Sequence, residues 1–232
     1  MDRKNSLIQN LIMAFFKIFR KRKKAIKEKP LMRKTIMIDP GHGGHKPGGV
    51  NKELGLKEKD IVLKVAQHVV AELEDNYPHI IPSLTRSGDI HVSLPERCRM
   101  ANRKEVDIFV SIHTNARPMK GVYGIEIETF YCRGSGKGKE LARIIQKNLL
   151  SEQTPIKTID RGVKIGEVWS KKKQKMVPYY VLRNTAMPAV LVELGFLSDF
   201  EEAVILSSPV HQKTMGRTLA QSIDEFFEKE SG

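Results

Sequence analysis

Residues 35–49 read TIMIDPGHGGHKPGG. A short, largely apolar run (TIMID) is stopped by Pro40 and passes into a loop with five glycines in nine residues, where neither strand nor helix continues. A run of this kind suits a buried strand, the habit of parallel sheets whose faces are covered by helices. The stretch after the loop, residues 57–74, sets Ile61, Val65, Val69 and Leu73 on one face at helical spacing. The opening unit is therefore strand, glycine-rich loop, helix.

The same alternation continues along the chain. Residues 79–86 form a poorer strand interrupted by Pro82, which belongs near a sheet edge. Ser93 and Glu96 have capping-box spacing with Pro95 in the first turn, starting a helix that runs to about residue 104. DIFVSIH, residues 107–113, is a second central-strand candidate, and GIEIETFYC, residues 124–132, alternates as a strand with one solvated face. A helix over 138–150 follows. Residues 163–169 and 176–183 then flank KKKQK, residues 171–175, as a two-stranded excursion with a charged tip. AVLVE, residues 189–193, is another buried strand, and residues 210–229 form an amphipathic helix presenting Leu219, Ile223, Phe226 and Phe227. The pattern predicts an α/β fold: a twisted, mostly parallel or mixed sheet with helices on both faces, in a single domain over residues 35–232.

The 232-residue chain carries 40 Lys+Arg against 27 Asp+Glu, a formal net charge of +13. Residues 1–34 account for 12 basic and 2 acidic side chains, net +10, which leaves 28 against 25 for residues 35–232. The excess is a property of the N-terminal segment, so it does not make the body a nucleic-acid binder, and no recognition motif accompanies it. Within that segment Leu7, Ile8, Leu11, Ile12, Phe15, Phe16, Ile18 and Phe19 occupy one half of a helical wheel, followed by the basic cluster beginning at Arg20. The apolar stretch is too short to span a bilayer. It reads as a basic amphipathic arm and linker, with residues 5–29 suited to a membrane surface. A secretory signal is one rival reading, opposed by Gln9 and Asn10 within the apolar stretch and by the basic cluster directly after it, and a merely solvated basic arm is the other. Cys98 and Cys132, the two cysteines, read as small buried hydrophobes.

In open α/β sheets ligands bind at the carboxyl ends of the strands. Three polar residues stand at such ends: His42 just past the first strand, His113 closing DIFVSIH, and Glu193 closing AVLVE. If those strands are neighbours, the three side chains converge on one rim. Imidazole and carboxylate donors in that arrangement suit a divalent metal, above all Zn²⁺, in an open hydrolytic site. Glu58, in the first turn of the helix after the loop, is the best placed third donor, ahead of Glu53 and Asp60. Glu193 is then free to take a proton from the attacking water and return it to the leaving group. The loop is neither a Walker phosphate cradle, lacking a GK[ST] end, nor a dinucleotide fingerprint, because Lys46 stands where its last glycine should be.

In these residues the chain resembles the zinc-dependent N-acetylmuramoyl-L-alanine amidases, cell-wall hydrolases of the amidase 3 type. The resemblance rests on TIMIDPGHGG, LGLKEKDIVL, LTRSGD followed by VSLPERCRMAN, DIFVSIHTNA, and YYVLRNTAMPAVLVELGFLSD, in that order over residues 35–227. It implies one Zn²⁺ per chain held by His42, Glu58 and His113, with Glu193 as the catalytic carboxylate and Asn115 and Arg183 as substrate contacts. It further implies cleavage of the amide between N-acetylmuramic acid and the L-alanine of the peptide stem, by a monomer acting on peptidoglycan at the cell envelope, membrane-associated if the arm binds there, with no nucleic-acid partner. Two other readings use the same residues: a zinc carboxypeptidase acting on the stem, and an inactive wall-binding module. The stretch 165–177 is an addition to this pattern; either Trp169, Tyr179 and Tyr180 border the groove and its lysines meet anionic wall polymer, or it is a solvated tip with an aromatic beneath.

Overall fold

A computed structural model describes residues 33–116, 124–151 and 157–231. Residues 1–32, and with them the basic amphipathic arm, lie outside the described residues. Strand β1 (Lys34–Pro40) leads through the glycine-rich loop and a small pair, β2 (Val50–Asn51) with β3 (Leu56–Lys57), into helix α1 (Glu58–Asn76). Then come β4 (Ile80–Leu84), α2 (Leu94–Lys104), β5 (Ile108–Asn115), β6 (Ile125–Tyr131), α3 (Gly136–Leu149) and β7 (Thr158–Ile165). A hairpin of β8 (Glu167–Ser170) and β9 (Lys175–Pro178) precedes α4 (Tyr180–Asn184), β10 (Ala189–Phe196), α5 (Phe200–Ser207) and α6 (Pro209–Ser231).

Six strands make one sheet in the order β4-β1-β5-β10-β6-β7. All neighbours run parallel except β10 and β6, so the sheet is mixed and mostly parallel. The strand carrying Pro82 is at the edge, where a missing N–H costs no ladder bond. Side-chain alternation divides the core in two. Ile36, Ile38, Val110, Ile112, Val190 and Val192 face the layer of α1, α3 and α6, where they meet Val65, Leu73, Leu219 and Ile223. Met37, Phe109, Phe130 and Leu191 face the opposite way, onto Cys98 and Ala101 of α2 and Val181 and Leu182 of α4. Each large aliphatic side chain so buried stabilises the fold by roughly 1.5–3 kcal/mol.

Three readings of the sequence are corrected. Strand β6 has no solvated face: Glu126 and Glu128 are buried at 3% exposure each, because β7 supplies Arg161 and Lys164 to pair with them. The excursion is shorter than its flanking runs suggest, since residues 158–165 join the main sheet as β7 and residues 180–184 turn into α4. Helix α5 falls in a stretch to which the sequence pattern assigned no element; Asp199 caps it by accepting from the Glu202 amide. The predicted Ser93 cap of α2 is present, accepting from the Glu96 amide. Both cysteines are free thiols, Cys98 buried and Cys132 half-buried.

Candidate metal and catalytic site

Because β1, β5 and β10 lie side by side and parallel, their carboxyl ends open on one rim. Polar residues alternate onto the α2-facing side there: Asp39 on β1, Ser111 and His113 on β5, and Glu193 on β10. The strand carrying Glu193 runs three residues further than its apolar pattern indicates, to Phe196.

His42 adopts a left-handed backbone, φ 58°. For a residue with a Cβ this conformation persists only where its surroundings hold it. Two buried arginines supply the hold. Arg86, just past β4, donates to the carbonyls of Pro40 (2.9 Å), Gly41 (2.7 Å) and Lys59 (2.8 Å). Arg97 of α2 donates to the carbonyls of Pro40 (2.7 Å) and His42 (2.5 Å) and to the Asp39 carboxylate (2.5 Å). Asp39 also accepts from Thr85 Oγ1 (2.6 Å) and Ser111 Oγ (2.7 Å). Three consecutive loop carbonyls are thus fixed by two guanidinium groups, of which that of Arg97 is paired with Asp39.

Glu58 is the first residue of α1 and is buried, with 3% exposure, whereas Glu53 and Asp60 are exposed. Its Oε1 lies 2.8 Å from His113 Nδ1 and accepts from the Thr114 amide (3.1 Å). Its Oε2 lies 3.1 Å from His42 Nε2 and accepts from the Gly49 amide (2.7 Å). Burial alone would raise the carboxyl's pKa, but the hydrogen bonds and charges of the two imidazoles outweigh it and hold it far below the usual range. Burial likewise opposes protonation of His113, and Glu58 overrides it, raising His113 to about 9 in the protein without metal. Two glycines make the approach possible. A Cβ at Gly41 would stand 2.2 Å from His113 Cε1, and one at Gly48 would stand 2.4 Å from Glu58 Oε2.

One donor atom from each of His42, Glu58 and His113 lies within 4.8 Å of the other two. Two imidazole nitrogens and a carboxylate oxygen at that spacing fit a divalent ion of the Zn²⁺ type. Glu193 is the register partner of His113 on one side and of Glu128 on the other. Its Oε2 is buried and accepts no hydrogen bond among the described residues. Burial raises the Glu193 carboxyl to about 8, with Glu58 and Glu128 adding to the shift and His113 opposing it. A half-buried carboxyl with an unsatisfied oxygen beside such a donor cluster is suited to holding and passing a proton.

Of the other two predicted residues, Asn115 donates to Glu128 Oε1 (2.7 Å), while Glu128 Oε2 meets Arg161 (3.0 Å) and Lys164 (2.5 Å). Arg183 lies exposed on α4, outside the lining of the cleft. That cleft, about 590 Å³, runs from Gly41, His42 and His113 across to Val168, Val177, Tyr179 and Tyr180. Tyr179 and Tyr180 therefore border it; Trp169 does not, and is 57% exposed. Sequence reasoning missed Arg86, Arg97 and Glu128. A signal for Arg97 is its place one turn before Ala101 on the apolar stripe of α2, where a charge needs a buried partner.

Fold and site together define an α/β protein with a His–Glu–His donor cluster and an adjoining carboxylic acid at the strand ends. Residues 36–225 match the Amidase_3 family, N-acetylmuramoyl-L-alanine amidase, and the chain belongs to that family of peptidoglycan amidases. It is 34% identical over 183 residues to the N-acetylmuramoyl-L-alanine amidase LytC of Bacillus subtilis (strain 168), covering 79% of this chain and 33% of LytC, so it spans about a third of that relative's length. It resembles the crystal structure of an N-acetylmuramoyl-L-alanine amidase from Clostridium difficile 630, with TM-score 0.74, 29% identity, and coverage of 85% of this chain and 98% of that one. The catalytic domain of CwlV, an N-acetylmuramoyl-L-alanine amidase from Bacillus (Paenibacillus) polymyxa var. colistinus, matches with TM-score 0.72 and 31% identity over 84% of this chain and 98% of its own.

Proposed function

We propose that the chain hydrolyses the amide between the lactyl group of N-acetylmuramic acid and the L-alanine of the peptide stem, with His42, Glu58 and His113 holding one Zn²⁺ and Glu193 moving the proton. The observation that carries the reading is the position of Glu193: a carboxyl oxygen without a hydrogen-bond partner among the described residues, beside three convergent metal donors. When bound, a zinc ion supplies Lewis acidity that polarises a carbonyl and makes water a nucleophile near neutral pH. Ionised when a divalent cation bound beside it offsets its burial, Glu193 would take the proton that the attacking water gives up as its oxygen joins the amide carbon. The same carboxyl returns that proton to the amide nitrogen as the C–N bond breaks, leaving a lactyl carboxylate and the free amine of L-alanine. Asn115 and Glu128 support this geometry from β5 and β6, the strands on either side of β10, since Asn115 orients Glu128 and Glu128 flanks Glu193. In this reading the segment preceding β1 is an arm that locates the catalytic domain at the cell envelope. Among the described residues no helix is long and apolar enough to cross a membrane.

Mass spectrometry of purified peptidoglycan digested by the zinc-loaded protein tests the bond assignment. Free stems beginning with L-alanine are the expected product. Loss of terminal D-alanine alone would assign the same site to a carboxypeptidase and overturn the proposal.

A further inference from the structure

Hairpin β8–β9 combines a cationic tip with an exposed apolar pair, and its outer face takes no part in the hydrolytic site. Residues 167–178 hold four lysines against one acid, leaving 24 basic against 24 acidic side chains in the remainder of residues 35–232. All of the body's net charge is therefore equivalent to that of this hairpin. The single acid, Glu167, is engaged at its base by Arg133, through Nε and Nη2 at 3.1 Å each. Lys171, Lys172, Lys173 and Lys175 are exposed at the tip.

Beside that tip the two strands pair Trp169 with Met176 in register, 57% and 49% exposed. The next pair toward the base, Val168 with Val177, takes the opposite face and lines the cleft. The hairpin is thus two-sided: an inner aliphatic wall toward His42 and His113, and an outer face of an indole and a thioether beside the exposed lysine-bearing tip. Exposing a large aromatic beside a flexible apolar chain is unfavourable in water unless something covers them. A soluble polyanion would engage the lysines and leave Trp169 and Met176 in water. An anionic bilayer accounts for both, because indole rings settle at the headgroup level while lysines meet the acidic headgroups.

We propose that the outer face of hairpin β8–β9 docks on an anionic lipid surface, with Trp169 and Met176 entering the interface and the four lysines among the headgroups. The docked hairpin would hold the mouth of the cleft beside the membrane, independently of which bond the site cleaves.

Trp169 is the chain's only tryptophan, so its emission reports on this hairpin alone, whatever the N-terminal arm does. The full chain is titrated with vesicles of phosphatidylglycerol and phosphatidylcholine, with pure phosphatidylcholine vesicles, and with soluble polyphosphate. A blue shift with the anionic vesicles, quenched by brominated acyl chains and absent with the other two, is the expected result. The K171Q/K172Q/K173Q/K175Q variant should lose that shift while retaining zinc content and stem release, which shows that its fold is intact. Pelleting with anionic vesicles at unchanged emission would assign membrane binding elsewhere and overturn the proposal. A blue shift with polyphosphate equal to that with vesicles would overturn it in favour of an anionic polymer, and so would retention of the vesicle-induced shift in the lysine variant.

Discussion

Glu193 and His113 are register partners on the adjacent parallel strands β10 and β5, so their side chains leave the same face of the sheet side by side. Their separation is set by the strand spacing of about 4.8 Å, not by a loop. His42 is the contrasting case: it sits on a glycine-rich loop in a left-handed conformation and is placed by contacts that Arg86 and Arg97 make to the backbone. One proposed metal donor, His113, and the proposed proton carrier, Glu193, thus belong to the rigid sheet, and a second proposed donor, His42, depends on a clamp. Perturbing each part has a distinct consequence.

Replacing Glu58 by Ala removes the carboxylate that both imidazoles face. The variant should fold and lose its zinc, read by elemental analysis after gel filtration, with stem release falling to background. A variant retaining one zinc per chain would exclude Glu58 as a ligand.

Gly41→Ala tests the close approach of the loop to His113. The new methyl would stand 2.2 Å from Cε1, so the ring or the loop must shift. Zinc affinity, measured by competition with a chromophoric chelator, should fall at least tenfold with the thermal transition still cooperative. Unchanged affinity would show that the loop yields freely at this point.

Arg97→Met leaves Asp39 buried without its guanidinium partner and frees the carbonyl of His42. Losing one partner of a buried ion pair costs roughly 3–5 kcal/mol. Urea unfolding should register that loss, and zinc affinity should fall with it because His42 is no longer held. A stability loss below about 1 kcal/mol would show that the clamp does not hold the loop.

The protein stripped of metal should lose stability as pH rises from about 6.5 to 9. Although burial disfavours its charge, His113 is raised above its ordinary 6.5 to about 9 by Glu58. The stabilisation from its protonated form is complete below pH 6.5 and is lost as pH climbs through 9. Glu193 acts in the same direction: burial holds its carboxyl at about 8, so the advantage of its neutral form is complete below 4.5 and is lost through 8. Scanning fluorimetry with chelator should therefore show a falling Tm across this window. Adding zinc should reduce the fall, since coordination requires neutral imidazole. A level or rising Tm in chelator would contradict the electrostatics described for the site.

Much of this was legible in the residues. The apolar runs around Ile36, Phe109 and Val190 identify the strands, and the strand-end rule brings His42, His113 and Glu193 to one rim once those strands are neighbours. Periodicity also located α1 through Ile61, Val65, Val69 and Leu73, all of them buried. Glu58 is less sharply marked: its place in the first helical turn ranks it ahead of Glu53 and Asp60, and burial at the helix start with two imidazole contacts sets it apart. Alternation in GIEIETFYC misled, because a face bearing Glu126 and Glu128 looks solvated until Arg161 and Lys164 arrive from a strand more than thirty residues away. The role of Arg86 is hidden for a related reason: what it holds is backbone carbonyl, which no side-chain pattern encodes, whereas Arg97 is marked only by its place on the apolar stripe of α2.

The central claim is that Glu193 carries the proton while His42, Glu58 and His113 hold the metal, and Glu193→Gln separates the two roles. Zinc content and the rate of stem release from purified peptidoglycan are measured on the same preparation. The account predicts one zinc per chain, an unchanged thermal transition, and a rate lower by about 10²–10⁴-fold, the contribution of a positioned acid–base group. A zinc-loaded variant releasing stems at a rate comparable to that of the unsubstituted protein would contradict it.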